Sequence, residues 1–61
     1  MTPKQVVKHF GSLGAAANAL TDAGFPVSRQ AIHKWVKKGW VPDDRQVQLE
    51  DITDGDLEAE E

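Results

Sequence analysis

The chain has 61 residues, no cysteine, and a formal net charge of −3 from seven Lys and Arg against ten Asp and Glu. This length limits it to one small domain, and the lack of cysteine excludes disulfide bonds, thiol chemistry and cysteine-ligated zinc. No apolar stretch approaches the roughly 18 residues of a membrane span and no signal peptide opens the chain, so we expect a cytoplasmic location and no membrane partner.

The net charge is divided unevenly along the chain. Residues 1–40 contain six Lys and Arg against one Asp and have a charge of +5, whereas residues 41–61 contain one Arg against nine Asp and Glu and have a charge of −8. A basic segment of this size is compatible with a nucleic-acid partner although the whole chain is acidic. Two solvated surfaces of opposite sign are the alternative, and composition leaves both open.

The first predicted helix begins after Thr2. Thr2 and Gln5 have the spacing of a capping box, and Pro3 suits the first helical position. Val6, Val7 and Phe10 form one apolar stripe at helical spacing, and Val7 and Phe10 are expected in the core. The glycine that follows ends this helix.

A second helix follows, capped by Ser12 and rich in alanine up to Leu20. Its small side chains let another helix approach closely, and Ala17 and Leu20 are expected in the core. Residues 21–26 interrupt the helix, because their glycine favours a left-handed turn and their proline cannot continue a helix. The pattern leaves open whether the second helix gains a turn or the loop bulges.

The third predicted helix runs from Arg29 to Lys38 after a Ser28 cap. Its apolar spacing predicts a buried face, and the polar and basic side chains then lie on the other faces. The residues of the buried face are Ala31, Ile32, Trp35 and Val36. A glycine ends this helix as well.

Trp40 lies in the connection after the third helix, where it either covers the core or anchors a dimer interface, and we favour the cover. Asp43 and Gln46 have the spacing of a cap for a fourth helix over residues 45–53. The apolar candidates of this helix are Val47, Leu49 and Ile52. Residues 56–61 form an acidic C-terminal tail that is expected to fray.

No segment has the alternating, β-branched pattern of a strand, so we predict an all-α domain of four helices with room for one turn of a fifth. The sequence also contains no glycine-rich phosphate loop, no nucleophile–base set and no metal-ligand spacing. We therefore expect neither an enzyme nor a cofactor, a metal or a small-molecule substrate.

The second and third helices, with the glycine turn between them, have the outline of a helix-turn-helix. The second helix of such a motif enters a major groove about 12 Å wide, where its first turns must donate to and accept from base edges. The side chains that suit base contacts are Ser28, Arg29, Gln30, His33 and Lys34. The residues that suit phosphate contacts at helix ends are Ser12, Leu13, Lys37 and Lys38.

Several pieces in a fixed order resemble the Cro repressors of lambdoid phages, and more closely the all-helical Cro branch and the related YdaS-type regulators. The pieces are residues 6–11, 17–20, 27–35, 39 and 41–42, followed by Pro42, Arg45, Glu50, Thr53 and Gly55 in the order Pro-x-x-Arg-x-x-x-x-Glu-x-x-Thr-x-Gly. The resemblance covers roughly residues 4–57. It implies a lambda-repressor-like helix-turn-helix domain over residues 1–55 and a phage or prophage repressor that binds double-stranded operator DNA.

The sequence departs from that family in its turn, which is about five residues longer, and at Leu13, where a phosphate-binding Gln is common. By resemblance to the family, the five residues predicted above for base contacts match positions that face bases, and Ser12, Leu13 and Lys37 match positions near the DNA backbone.

One domain of this size buries about 600–1,000 Å² on DNA, which is too little for a selective site. We therefore expect two copies on a pseudo-palindrome about 10 base pairs apart, as a homodimer that is weak in solution and can form on DNA. The expected location is the nucleoid of a bacterial host cell. A helix-turn-helix-shaped protein-binding module, such as an antitoxin or an anti-repressor, is the alternative, and the salt dependence of DNA binding distinguishes the two.

Overall fold

Four α-helices make up the regular structure of this protein in a computed structural model that describes residues 1–59. The helices are α1 (Pro3–Phe10), α2 (Leu13–Asp22), α3 (Arg29–Lys38) and α4 (Asp43–Ile52). The all-α prediction is confirmed, and within residues 1–59 there is no strand. Residues 53–57 form turns and bends, so the optional turn of a fifth helix is absent from this range.

The core lies where α2 packs against α1, α3 and α4. Its fully buried side chains are Leu20, Ile32, Leu49, Val6 and Val41. Each large aliphatic side chain removed from water contributes about 1.5–3 kcal/mol, which is the main stabilisation available to a chain without disulfides.

Four of the six predicted core residues are buried, namely Ala17, Leu20, Ile32 and Trp35. Val7 and Phe10 are only partly buried and pack against the edge of the core. In α1 the fully buried position is Val6, one residue earlier, because adjacent residues on a helix point in directions about 100° apart and only one of two neighbouring valines can face inward.

The predicted start of α1 is confirmed by its hydrogen bonds. The Gln5 backbone N–H donates to Thr2 Oγ1 over 3.2 Å, and the Thr2 N–H donates to Gln5 Oε1 over 2.8 Å. At the other end Gly11 has φ = 99°, a left-handed conformation that ends the helix at no steric cost.

The predicted cap of α4 is wrong. The helix begins at Asp43, two residues before the expected start, and Pro42 precedes it without a side-chain cap. Gln46 is buried and its Nε2 donates instead to the Val41 carbonyl over 2.9 Å, because a buried amide requires a partner. Val47, an expected core candidate, is 61% exposed because it lies on the side of α4 opposite Leu49.

The start of the acidic tail, whose residues 56–61 were expected to fray, makes contacts with the rest of the domain. Leu57 is buried, and its N–H donates to Thr53 Oγ1 over 3.1 Å. The N-terminal ammonium of Met1 donates to the Glu58 carbonyl over 2.8 Å. Residues 60 and 61 lie outside the described range, and the division of the chain after residue 55 stays a prediction.

Within the described residues no helix is long and apolar enough to cross a membrane.

Candidate nucleic-acid interface

Two helices, α2 and α3, pack against each other through a contact built from small and large side chains. Ala16 and Ala17 are buried on α2, and such small side chains allow a close helix–helix approach. Ile32 and Trp35 are buried on α3. These buried side chains hold α3 against the domain and leave its opposite face exposed to solvent.

The segment between α2 and α3 is held by hydrogen bonds from several directions. Its Gly24 has φ = 93°, and the Phe25 N–H donates to the Leu20 carbonyl over 2.8 Å. The hydroxyl of Thr21 donates to the Val27 carbonyl and accepts from the Val27 N–H, both over 3.4 Å. The sequence left open whether α2 gains a turn or the loop bulges. In the structure α2 continues to Asp22, and residues 23–28 then form the turn that these hydrogen bonds hold.

An arginine from α4 supports the same turn. Arg45 Nη2 donates to the Pro26 carbonyl over 3.1 Å, and its Nη1 donates to Gln48 Oε1 over 3.0 Å. Glu50, on the same helix, accepts a hydrogen bond from the Ala59 N–H over 3.4 Å, so Arg45 and Glu50 act at different places.

Ser28 caps α3, as predicted. Its hydroxyl oxygen accepts from the Ala31 N–H over 3.1 Å, and the hydroxyl proton remains available to a further acceptor. This residue therefore sets the start of the helix and also presents a donor at its solvent side.

The remaining predicted base-contacting side chains lie on the exposed part of α3. They are Arg29, Gln30, His33 and Lys34. Within residues 1–59 no hydrogen bond or ion pair engages these four side chains, so no internal interaction must break before they bind a partner.

The beginning of α2 lies beside this face. Leu13, Arg29, Gln30 and His33 border one shallow depression of about 300 Å³. Ser12 caps α2 by accepting from the Ala15 N–H over 3.0 Å. The side chain of Leu13 is half-buried and packed against the core, so this position offers a backbone N–H at the helix start and no polar side chain.

Two lysines, Lys37 and Lys38, are exposed at the C-terminal end of α3. Lys38 Nζ lies 5.5 Å from the ring centroid of Trp40, a cation–π contact. Trp40 is 54% exposed, so the expectation that it covers the core is wrong. Val41 occupies the core position next to it, since consecutive residues of an extended connection point to opposite sides.

The division of charge along the sequence also places the two signs of charge on different helices. Arg29, Lys34, Lys37 and Lys38 make α3 basic, while the exposed side of α4 contains Asp43, Asp44 and Asp51 around Val47. Phosphate is therefore attracted to the α3 side and repelled by the α4 side. Among residues 1–59 no cluster of three or more His, Asp or Glu side chains is placed to hold a metal ion.

Comparisons with known proteins agree with this arrangement. The family model of the DNA-binding transcriptional regulator Cro, P22 type, matches residues 2–61. A solved structure of N15 Cro complexed with consensus operator DNA matches with a TM-score of 0.86 and 30% sequence identity, covering 98% of this chain and 87% of that one. A search of curated proteins gave no match. The all-helical fold described above is thus the Cro-like fold of N15 Cro.

Proposed function

We propose, since this chain belongs to the P22 Cro family of DNA-binding transcriptional regulators, that it is a repressor which binds operator DNA with α3 in the major groove. The observation that carries the proposal is the exposed face of α3, where the side chains of Arg29, Gln30, His33 and Lys34 make no hydrogen bond or ion pair within residues 1–59. Ile32 and Trp35 hold the helix from its buried side. A repressor bound across a promoter excludes polymerase sterically and needs no catalytic group. The similar N15 Cro has been solved with consensus operator DNA, which supports the same partner here.

Sequence would be read by the first turns of α3. We propose that Arg29 bonds a guanine through its two-pronged guanidinium and that Gln30 bonds an adenine through its amide. His33 and Lys34 lie one turn further along the same helix, and the free hydroxyl proton of Ser28 can reach an acceptor at the groove edge. Each bidentate contact is worth about 1–3 kcal/mol of discrimination against a wrong base.

The helix ends would hold the phosphate backbone. At the start of α2 we propose contacts from the Ser12 region and from the backbone N–H of Leu13, where the helix dipole favours an anion. At the end of α3 we propose phosphate contacts from Lys37 and Lys38. Such contacts orient α3 in the groove without reading sequence.

Two copies are proposed to bind one operator as a homodimer. The Cα atoms span 24 × 23 × 19 Å, and side chains add about 3 Å on each side. Neighbouring recognition helices lie about 34 Å apart on DNA, slightly more than this width with side chains included, so two such domains would touch over a small area at most. The exposed ring of Trp40, close to the end of α3, suits such a small contact, and a small contact implies a weak dimer.

The partner also implies the location that we propose, the nucleoid in the cytoplasm of a bacterial host cell.

Selection of bound DNA from a random duplex pool tests the proposal. We expect enrichment of a pseudo-palindrome with half-sites about 10 base pairs apart and two protein copies per duplex. Affinity for the selected duplex should fall steeply as salt concentration rises. If the protein retarded no duplex in a gel at low salt, the proposed function would be rejected. If it bound DNA but no sequence were enriched, sequence-specific readout would be rejected.

A further inference from the structure

A groove of about 520 Å³ lies between α1 and α3. Its apolar lining comes from Val7, Leu13 and Val36, and α1 adds the side chains of Lys4 and Lys8. The sequence had assigned no role to either lysine or to the exposed part of Val36. The groove thus combines an apolar surface with two cations.

This groove is continuous with the proposed DNA-reading face. Leu13 and His33 line it and also border the depression that Arg29 and Gln30 share. A DNA strand that passes the first turns of α3 would therefore reach the groove without leaving the protein surface.

Among the residues that the structure describes, Lys4 and Lys8 have no polar or charged partner. Lys4 and Lys8 are four residues apart on one face of α1 and both are exposed. Within residues 1–59 neither ammonium group makes a hydrogen bond or an ion pair. Like charges at this spacing destabilise a helix slightly, about 0.2–0.5 kcal/mol. Lys8 lies in the last turn of α1, where the helix dipole favours a cation, but Lys4 in the first turn gains nothing from the dipole.

A sugar–phosphate backbone has the complementary chemistry. It combines anionic phosphates with the apolar C–H faces of deoxyribose, and the groove combines two cations with aliphatic surface. A free apolar ligand would be complementary to the aliphatic lining of the groove but not to the two lysines. A DNA strand is complementary to both.

We propose that this groove holds the sugar–phosphate backbone of the bound operator, with Lys4 and Lys8 each neutralising one phosphate. The proposal rests on the DNA-binding function proposed above and extends the DNA contact from the helix-turn-helix to α1. The partner is the same duplex, so no second ligand is required.

The salt dependence of affinity measures phosphate contacts directly. Each phosphate neutralised contributes a slope of about −0.9 to log K against log salt concentration. We expect the slope of the double variant Lys4→Gln/Lys8→Gln to be about 1.8 units shallower than that of the original chain, and each single variant to be about 0.9 units shallower. The selected base sequence should stay the same, because phosphate contacts carry no sequence information.

A matched control distinguishes a local phosphate contact in the groove from an effect of the protein's net charge. Val47→Glu lowers the net charge by one unit, as a single Lys→Gln variant does, but it adds a negative charge at the exposed side of α4. We expect its slope to equal that of the original chain. Equal slope changes in Val47→Glu and Lys4→Gln would overturn the proposal, since they would reflect charge alone.

Lys8 needs one further measurement, because it also borders a cleft with Asp56 and Glu58. We expect unchanged thermal unfolding of Lys8→Gln without DNA. A lower unfolding temperature with an unchanged slope would assign Lys8 to the acidic tail and overturn its DNA role. If the original chain binds DNA and the double variant has the same salt slope, the groove proposal fails and the proposed function stands. If the original chain binds no DNA, the proposed function itself fails.

Discussion

Arg45 on α4 donates a hydrogen bond from Nη2 to the backbone carbonyl of Pro26, 19 residues earlier in the chain, over 3.1 Å. Its Nη1 donates at the same time to Gln48 Oε1 over 3.0 Å, and the planar guanidinium makes both bonds without distortion. The acceptor lies in the turn between α2 and α3. The fourth helix therefore supports the turn that sets the position of the recognition helix.

Replacing Arg45 by Met tests this support, because Met keeps much of the aliphatic volume and cannot donate. We expect a loss of about 1 kcal/mol in the free energy of unfolding, since both bonds are partly or fully solvated. For a domain of this size that loss lowers the unfolding temperature by about 4–8 °C, measured by circular dichroism. Operator affinity should also fall at temperatures where the variant is fully folded.

Gln48→Ala is the control for that prediction. It removes the partner on α4 and leaves the bond to Pro26 intact. We expect unchanged operator affinity for the folded Gln48→Ala variant. If Arg45→Met and Gln48→Ala weakened DNA binding equally, the contact with the turn would have no role of its own.

Arg29 and Lys37 are predicted to differ in what they contribute to binding. We expect Arg29→Ala to cost about 1–3 kcal/mol on the operator and to relax the preference at one base position, because its guanidinium is proposed to read a guanine. Lys37→Ala should weaken all duplexes alike and reduce the salt slope by about one unit. Titration of selected and scrambled duplexes measures both effects, and small equal losses for the two variants on every sequence would argue against direct readout.

Trp40→Ala is predicted to separate dimer formation from folding. Trp40 is 54% exposed and contacts Lys38, so its removal should lower the free energy of unfolding by only about 1 kcal/mol. A tryptophan at the centre of a small interface is worth about 2 kcal/mol or more, so binding of the second copy should weaken by that amount. Binding curves on full and half operators measure the difference; equal cooperativity in the variant and the original chain would place the dimer contact elsewhere.

The acidic tail is predicted to reduce non-specific DNA binding by repelling phosphate. Deleting residues 56–61 would remove the buried Leu57 as well, so the charge is better tested by Asp56→Asn/Glu58→Gln, which keeps the packing. We expect tighter binding to a random duplex and a smaller ratio of specific to non-specific affinity. Unchanged non-specific affinity in a filter-binding titration at low salt would reject this role.

Much of the fold is readable from local signals. Thr2, Ser12 and Ser28 cap helices where their side chains and the following apolar spacing predict, because a cap depends only on residues within one turn. Gln46 does not follow its local pattern. Its amide donates to Val41 inside the core, a position that depends on how α4 packs and cannot be read from a four-residue spacing.

In the candidate site, too, some features could be predicted from the sequence and others could not. The exposed polar face of α3 follows from the helical period, which places Ile32 and Trp35 inward and the polar residues outward. Trp40 was expected to cover the core and does not, and the contact of Arg45 with Pro26 was not predicted. The side to which an irregular connection turns and a contact 19 residues away both depend on the packed arrangement. Lys4 and Lys8 gained a proposed role only when α1 and α3 were seen to share a groove.

The uneven charge, the capped helices and the helix-turn-helix outline were determined by the sequence alone, because charge is additive and helices form from neighbouring residues. The tertiary structure decided which exposed groups share a surface, how the long turn is held, and that Leu57 packs while Trp40 faces solvent. Those outcomes depend on contacts between residues far apart in the chain, whose free energies arise only when the helices pack together.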